Sequence, residues 1–176
     1  FERHAKYCEP YENIHLKVLT FRDEYNDGVL KNVRPIAPPV YKPKDGLEVQ
    51  KNNKPLTIGF FGQFRKEKNI IPLLDAFIKA RFVGPVTLLV QGATAKPEDG
   101  VLFDSIAAEY KKYKNITFLH TDLIGKNWDE ALLNTDAFLV PYGAERYRYH
   151  WSAMLFTAIG FKKPVLVSPE INPEVL

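Results

Sequence analysis

The segment LTIGFFGQFRKEKNIIPLLDAF, residues 56–77, contains the pattern that decides the fold class. It begins with a short apolar run, residues 56–61, that has the length and composition of a buried β-strand. A basic loop follows, and beyond it apolar residues recur at helical spacing, which predicts an amphipathic helix near residues 69–81. A buried strand followed by an amphipathic helix is the repeating unit of a parallel α/β sheet.

The same alternation continues along the rest of the chain. Further apolar runs of strand length are residues 86–91, 116–120, 137–140 and 164–168. Helix-length segments lie between them, near residues 101–112, 128–133 and 152–160. Continuous apolar strands joined by amphipathic helices predict parallel strands that are covered on both faces. The expected fold class is therefore α/β, with a doubly wound parallel sheet.

The first 54 residues have a different pattern. Residues 14–21 form one strand candidate, and a turn is predicted at residues 26–28. Proline then occurs four times within residues 34–46. Because proline has a restricted φ and no amide donor, we expect this stretch to be an extended connector, neither helix nor central strand. The first residue is Phe1, not methionine, and we expect the chain to be a piece of a longer protein.

Composition excludes several classes of function. The 176 residues are 45% hydrophobic and 26% charged, which suits a globular domain with one core. A net charge of +3 argues against nucleic-acid binding driven by counterion release. The longest apolar run, residues 153–161, is too short to cross a bilayer. The single cysteine, Cys8, excludes an internal disulfide and a Cys-rich zinc site, which suits a reducing compartment.

One candidate site is the loop GQFRKEKN, residues 62–69, because ligands of open α/β sheets bind beyond the carboxyl ends of the strands. A glycine at the strand end lets backbone approach a ligand, and Arg65, Lys66 and Lys68 follow within a few residues. This charge suits a diphosphate held beside a helix amino end. A solvated charged loop is the alternative.

A second candidate is the loop PYGAERYRYHWSAM, residues 141–154, which places Arg146 and Arg148 among aromatic residues. It leads into a helix at Ser152, which is either the N-cap or an early helical residue with a free amide. The mixture suits phosphate pairing combined with sugar stacking, and it also suits single-stranded nucleic acid. A surface loop whose aromatic residues pack on the core is the third interpretation.

Neither the histidines nor the carboxylates have the spacing of metal ligands, so no metal site is predicted. His120 lies at a strand end, where we expect a packing or hydrogen-bonding role and keep it as a site candidate. Asp129 and Glu130 lie near a predicted helix start, and both are expected to be solvated or to complement the helix dipole.

Taken together, the two loops resemble those of the C-terminal, donor-binding domain of GT-B-fold glycosyltransferases, in particular the family 4 or group 1 type. The resemblance covers about residues 33–176. It is carried by five segments in the family's order: VRPIAPPVYKP, LTIGFFGQFRKEKNIIPLLDAF, ITFLHTDL, AFLVPYGAERYRYHWSAMLFTAIGFKKPVLVS and SPEINPEVL. It implies that residues 1–54 are the end of an N-terminal domain and its Pro-rich linker. Residues 55–176 are then a Rossmann-like nucleotide-sugar-binding domain, truncated at its C-terminal end.

The resemblance also implies positions for the parts of a donor. The residues expected to hold the donor diphosphate are Arg65, Lys68, Ser152, Ala153 and Met154. Those expected near the donor sugar and ribose are Gly62, Gln63, Tyr147, Arg148, Tyr149 and Thr157. Those expected near the base are Gln91, Gly92, His120, Leu123 and Ile124.

The chain departs from the family at a signature pair of glutamates that are separated by seven residues. Tyr149 and Thr157 stand at the two positions. In the family the first glutamate contacts the transferred sugar and the second contacts the ribose hydroxyls. Some relatives carry a tyrosine-rich loop instead, and YRYHWSAM is more similar to that loop.

The activity implied is transfer of a sugar from a nucleotide sugar to an acceptor hydroxyl. Fixed cations and a helix amino end would stabilise the departing diphosphate, without a metal or another cofactor. The N-terminal domain would bind the acceptor, which is a glycan, lipid or protein, and would supply the catalytic base. No catalytic residue is therefore assigned, and the isolated fragment is expected to be inactive.

No nucleic-acid partner is expected. The expected location is the cytoplasm, with peripheral membrane association through the N-terminal domain as an option. The alternatives are a non-catalytic nucleotide-binding or protein-interaction module and a nucleotide-sugar epimerase.

Overall fold

The computed structural model describes residues 2–19, 31–44, 47, 55–143, 147, 151–169 and 171. The helices in this part of the chain are α1 (Glu2–Cys8), α2 (Ile70–Lys79), α3 (Pro97–Tyr110), α4 (Gly125–Leu133) and α5 (Ala153–Gly160). The strands are β1 (Leu16–Leu19), β2 (Val33–Ile36), β3 (Leu56–Phe60), β4 (Val86–Gly92), β5 (Ile116–His120), β6 (Ala137–Val140) and β7 (Val165–Val167). None of these helices has the length and apolar character of a membrane-spanning segment.

The main sheet contains five parallel strands in the order β5-β4-β3-β6-β7. The chain builds outward from β3 in one direction through β4 and β5, then returns to the other side of β3 for β6 and β7. Because crossovers between parallel strands are right-handed, this reversal puts helices on both faces of the sheet. The reversal also opens a crevice between the carboxyl ends of β3 and β6, which is where such sheets bind ligands.

The core lies between the main sheet and its helices. The strands bury large side chains completely, among them Phe60, Leu88, Val90, Phe138 and Val140. Helix α2 contributes Ile70, Leu74 and Phe77 from one face, as its apolar spacing predicts. Each such side chain stabilises the fold by about 1.5–3 kcal/mol when it leaves water.

The α/β class, the doubly wound order and the five strands of the main sheet are confirmed. Two helices begin earlier than the sequence pattern indicates. Helix α3 begins at Pro97 and not near residue 101, since proline is well suited to a first helical turn. Helix α4 begins at Gly125 and not near residue 128, with an αL conformation at Gly125. The predicted turn at residues 26–28 lies outside the described residues.

The amino-terminal region contains two elements that the sequence analysis missed. Among the α1 residues whose side chains the structure describes, only Ala5 is completely buried, so the helix lacks the apolar stripe from which a helix is predicted. Strand β2 pairs in parallel with β1, and Pro35 lies opposite Val18. Residues 34–46 were expected to be an extended connector, neither helix nor central strand. Their start is extended but belongs to β2, which has one pairing partner among the described residues, so proline is tolerated there.

Candidate functional site

The two candidate loops meet at the crevice between β3 and β6. The side-chain amide of Asn69, at the start of α2, donates to the carbonyl of Pro141 at 3.2 Å. The backbone amide of Gly143 donates to the carbonyl of Glu67, also at 3.2 Å. These two hydrogen bonds join the loop after β3 to the loop after β6, so the two loops form one surface.

Gly62, two residues after β3, has a backbone conformation that other residues rarely adopt. Its φ is +108°, and a Cβ atom at this position would lie 3.1 Å from Nζ of Lys68. Its backbone amide donates to Oε1 of Gln91 at 2.8 Å, and the Gln91 amide donates in turn to the carbonyl of Thr121. The strand ends of β3, β4 and β5 are thereby held together by one buried glutamine.

Lys68 is the most unusual charged group of the site. It is 7% exposed and lies in a 3-10 turn, Lys66–Lys68, that precedes α2. Its Nζ lies 4.8 Å from the centroid of the Tyr142 ring and 5.9 Å from that of Phe60. Burial is the main reason that the pKa of Lys68 is lowered to about 8. The charge of Arg65 lowers this pKa further, and the charge of Glu67 raises it. None of the described carboxylates forms an ion pair with it, so a bound anion would relieve the cost of its burial.

Arg65 lies near Lys68 and is half-buried. Its Nη2 donates to Oε1 of Gln63 at 2.8 Å, which restrains the guanidinium at the mouth of the loop. Lys66, between the two cations, is exposed. Two of the three basic side chains of this loop are therefore at least partly enclosed, which is not the arrangement of an ordinary solvated loop.

Helix α5 begins at the opposite side of the crevice. Ser152 is its N-cap, and its buried Oγ accepts from the amide of Leu155 at 3.4 Å. The amides at the start of a helix have no intrahelical acceptor and present partial positive charge. Thr157, one turn further, donates its hydroxyl to the carbonyl of Ala153 at 2.8 Å. The buried ring of Tyr147 packs on Tyr142, with centroids 4.8 Å apart.

These elements enclose a cavity of about 530 Å³, here named the basic cavity. Its charged lining residues are Lys42, Arg65, Lys68 and Asp129, and its aromatic ones include Tyr41, Trp128, Tyr142, Tyr147 and Trp151. Gly62, Gln63 and the α5 residues Ser152, Ala153, Met154 and Thr157 complete the wall. Two buried aromatic donors of this wall, the Tyr142 hydroxyl and Nε1 of Trp151, have no hydrogen-bond partner among the described residues. Burial raises the pKa of Tyr142, which keeps its hydroxyl protonated.

A second cavity of about 470 Å³, here named the side cavity, opens beyond the ends of β4 and β5. It shares Gly62, Gln63 and Trp128 with the basic cavity. The rest of its wall is mostly small, polar or aliphatic: Gln91, Ala93, Thr94, Ala95, Asp122, Leu123, Ile124 and Gly125.

Most of the residues that the resemblance implicates come together around the two cavities. Gly92 and His120 line neither one. Gly92 faces the ring of Phe103. His120 is hydrogen-bonded through Nδ1 to Asp104 at 2.6 Å and through Nε2 to Oγ1 of Thr94 at 2.9 Å. Arg148 and Tyr149 lie outside the described residues.

Asp129 is a lining residue that the sequence analysis assigned wrongly. It is 8% exposed and belongs to the cavity wall, whereas it was expected to be solvated or to complement the helix dipole. It also lies beyond the first turn of α4, which contains no acidic residue. Leu132 and Leu133, three and four residues further along α4, are both buried. Since residues at these spacings share a helix face, the position of Asp129 on the buried face was readable from the sequence. Tyr41 and Lys42 come from the proline-rich stretch and carried no such signal.

Comparison with known proteins gives the fold its context. No protein-family model and no curated protein sequence matches the chain. Among solved structures, the chain superposes on Anabaena HepE in complex with UDP-glucose with a TM-score of 0.65 and 12% identity, over 99% of this chain and 50% of HepE. It superposes on the C-terminal domain of LpcC, a group 1 glycosyltransferase from Francisella tularensis, with a TM-score of 0.58 and 20% identity, over 78% of this chain and 72% of that one.

A third structural neighbour is the pneumococcal O-GlcNAc transferase GtfA in complex with UDP and GlcNAc, with a TM-score of 0.53 and 17% identity, over 85% of this chain and 29% of that one. These neighbours are GT-B glycosyltransferases. The chain therefore has the fold of the C-terminal domain of a group 1, GT-B-type glycosyltransferase. It spans about half the length of HepE.

Proposed function

We propose that this chain is the donor-binding half of a glycosyltransferase that moves a sugar from a nucleotide sugar to an acceptor hydroxyl. The observation that carries the proposal is the buried Lys68, which has no carboxylate partner among the described residues and lies in a cavity at the topological switch point. A cation in this state is best compensated by an anionic ligand. Two of the structural neighbours were solved with UDP or a UDP sugar, which supports a nucleoside diphosphate as that anion.

The basic cavity fits the chemistry of the leaving group. When the bond between sugar and diphosphate breaks, negative charge accumulates on the diphosphate oxygens. Lys68 and Arg65 approach from the loop after β3, and the start of α5 approaches from the loop after β6. Positive groups that are already fixed in place stabilise this charge without reorganisation during the reaction.

In this proposal the base and the transferred sugar bind on opposite sides of the diphosphate, each next to a different group of lining residues. The side cavity, with Leu123, Ile124 and Trp128 in its wall, suits the flat and largely uncharged base. The aromatic part of the basic cavity, formed by Tyr41, Tyr147 and Trp151, suits the apolar faces of the transferred sugar.

The proposal assigns residues 55–176 to a Rossmann-like donor domain and residues 1–54 to the end of a preceding domain with its linker. The linker packs on the donor domain, since the ring centroids of Tyr41 and Trp151 are 5.8 Å apart. The acceptor and the catalytic base would come from the preceding domain. We therefore expect residues 1–176 alone to bind donor without transferring sugar, because catalysis needs both substrates oriented in one cleft.

A calorimetric titration of the 176-residue chain with UDP, GDP, dTDP, ADP and CMP in the presence of EDTA tests this function. We expect one of the diphosphates to bind with a dissociation constant below 1 mM, on the order of the affinity that a few charge-assisted contacts supply. The matching nucleoside is the control and should bind much more weakly. The absence of binding by every diphosphate, or binding that requires added Mg²⁺, would contradict the proposal.

A non-catalytic nucleotide-binding module is the second candidate, and one observation favours it. Thr157 occupies one position of the family's glutamate pair, and its hydroxyl is committed to the carbonyl of Ala153. An assay distinguishes the glycosyltransferase from the non-catalytic module. It measures turnover of the bound nucleotide sugar by the protein with its preceding domain restored. Tight donor binding without transfer or hydrolysis would establish the module.

A further inference from the structure

Part of the wall of the basic cavity comes from the linker segment, residues 38–44, and not from the main sheet or its helices. Tyr41 and Lys42 of this segment line the cavity. Within the described part of the chain, residues 38–44 form no hydrogen bond and no ion pair. The linker segment is therefore held against the cavity by packing alone, and its packing contacts decide whether it stays there.

Gly160, the last residue of α5, is the position at which the linker segment packs on the donor domain. A Cβ atom at Gly160 would overlap the carbonyl oxygen of Tyr41, and it would lie 2.5 Å from the carbonyl carbon of Tyr41 and 2.9 Å from Cγ1 of Val40. The backbone conformation does not require glycine, because Gly160 is not among the described glycines with a positive φ. Alanine is also the better helix former. The glycine is therefore explained by the space that the linker backbone fills.

The docked linker segment also contacts an aromatic side chain of the cavity wall. The ring of Tyr41 packs on Trp151 with centroids 5.8 Å apart, and Trp151 packs in turn on Phe156 of α5 at 5.7 Å. Nε1 of Trp151 is buried and has no hydrogen-bond partner among the described residues. Ring contacts thus hold the indole in place, and one of the two rings belongs to the linker segment.

We propose that residues 40–42 are part of the ligand site and that Gly160 is the position that lets them dock. Once docked, Tyr41 holds Trp151 in the cavity wall, and Lys42 presents its charge to the bound anion. This inference rests on the proposed function, because it takes the anion to be a nucleoside diphosphate. Ligand binding and linker docking then stabilise each other, because the anion gains the charge of Lys42 only when the segment is docked.

Docking is tested without a ligand by ¹⁹F NMR of the 176-residue chain labelled with 5-fluorotryptophan. The chain contains two tryptophans, so two resonances are expected, and Trp151→Phe assigns them. We expect Gly160→Ala to shift the Trp151 resonance and to leave that of Trp128 in place. Gly84→Ala is the matched control, because a Cβ atom at Gly84 meets no atom within 4 Å and should shift neither resonance.

Binding of UDP and GDP is measured by calorimetry at pH 7 in EDTA. Lys42→Met should weaken binding of the preferred diphosphate by about threefold, because Lys42 is exposed and water screens its charge. Lys44→Met is the matched control and should not weaken binding, because Lys44 is also exposed and is not a residue of the described cavity wall. Gly160→Ala should weaken binding by about 5- to 10-fold, because the charge of Lys42 and the support of Trp151 are lost together.

A double-mutant cycle tests whether Lys42 acts through docking. In the Gly160→Ala chain, Lys42→Met should cause no further loss of affinity, because the lysine has already left the cavity. Tyr41→Ala removes the ring contact from the linker side. Because Tyr41 is 45% exposed, this variant provides a second test if a thermal melt shows that Gly160→Ala disturbs the fold. It should also shift the Trp151 resonance and weaken binding.

Additive losses in the cycle would overturn the inference, and so would a Trp151 resonance that neither Gly160→Ala nor Tyr41→Ala shifts. Failure of the unmodified chain to bind either diphosphate would instead contradict the proposed function, and with it the role of the linker segment in binding. The two failures are distinguishable, because the ¹⁹F measurement detects docking without a ligand.

Discussion

The basic cavity and the side cavity open from the same strand ends and share Gly62, Gln63 and Trp128, yet their charges differ. Among the described residues, three cations and one carboxylate line the basic cavity. The side cavity is lined by one carboxylate, Asp122, and none of its described lining residues is a cation. Two adjoining cavities of similar volume therefore favour different parts of a ligand.

The origin of the difference lies in the loops. The basic cavity receives Arg65 and Lys68 from the loop after β3. The 3-10 turn of this loop brings Nζ of Lys68 to 4.8 Å from the centroid of the Tyr142 ring. The side cavity is built from the short connections after β4 and β5, which contribute Thr94, Asp122 and aliphatic residues. Under the proposed function, charge would hold the diphosphate, and shape and neutral contacts would hold the base.

The largest effect is expected from Lys68→Met, which removes the buried charge and keeps a side chain of similar length. Affinity for the diphosphate should fall by about 100-fold, near the upper end for one charge-assisted contact, while affinity for the nucleoside is unchanged. The thermal midpoint should stay the same or rise, because a buried unpaired charge is removed. Calorimetry and a thermal melt measure both quantities.

Lys66→Met is the matched control for that prediction, since Lys66 is exposed two residues away. It should weaken diphosphate binding by less than about threefold. Equal losses in the two variants would indicate diffuse attraction and would remove the distinction between the cavities.

A pH titration of binding should give the next largest effect. With a pKa of about 8, Lys68 is charged below pH 8 and loses its proton above it in the free protein. A bound diphosphate raises the pKa of Lys68, so affinity is full below pH 8 and falls by up to about 10-fold per pH unit above it. The terminal phosphate loses its last proton with a pKa of about 6, so the diphosphate is almost fully ionised above pH 8, where the decrease is expected.

The pH dependence is measured by calorimetry between pH 7 and pH 9.5. In Lys68→Met the decrease above pH 8 should disappear. A decrease that persists in this variant would assign the titration to another group and leave Lys68 without its proposed role.

Arg65→Ala should have a smaller effect, about 10-fold on diphosphate affinity. Arg65 is half-buried and already hydrogen-bonded to Gln63, so water screens its charge more than that of Lys68. Arg65→Lys should recover part of the loss. A loss larger than that of Lys68→Met would place the diphosphate at the mouth of the basic cavity and not at its buried end.

The fold was predictable because the main sheet is encoded by local pattern. Apolar runs such as residues 137–140 are strand-length, and α2 has a clear apolar face, so periodicity alone identifies both. Strand β2 was missed because Pro35 argues against a strand locally, whereas pairing with β1 is a tertiary property. Helix α1 was missed because one fully buried residue leaves no periodic signal.

The site was predictable only where charge and strand ends coincide in sequence. Arg65 and Lys68 follow a strand directly, so their location at the sheet edge follows from topology. The burial of Lys68 under Tyr142, 74 positions away, depends on how two loops pack and has no local signature. Asp129 shows the opposite failure, because its helical spacing from Leu132 indicated burial and its charge was taken to mean exposure.

The smallest effect is expected from Thr94→Val, a nearly isosteric change in the side cavity. The Thr94 hydroxyl is already paired with Nε2 of His120, whose Nδ1 is held by Asp104. In the neutral imidazole tautomer that donates Nδ1–H to Asp104, Nε2 accepts from the threonine, and the hydroxyl oxygen has a lone pair left to face the cavity. A base that donates to this lone pair would lose one modest hydrogen bond in Thr94→Val, about threefold in nucleotide affinity. Pyrophosphate, which carries no base, should bind both proteins equally by calorimetry, and Thr121→Val is the control outside both cavity walls. If Thr94→Val weakens binding of pyrophosphate and of the nucleotide equally, the side cavity does not bind the base separately from the diphosphate. The base would then bind elsewhere along the strand ends.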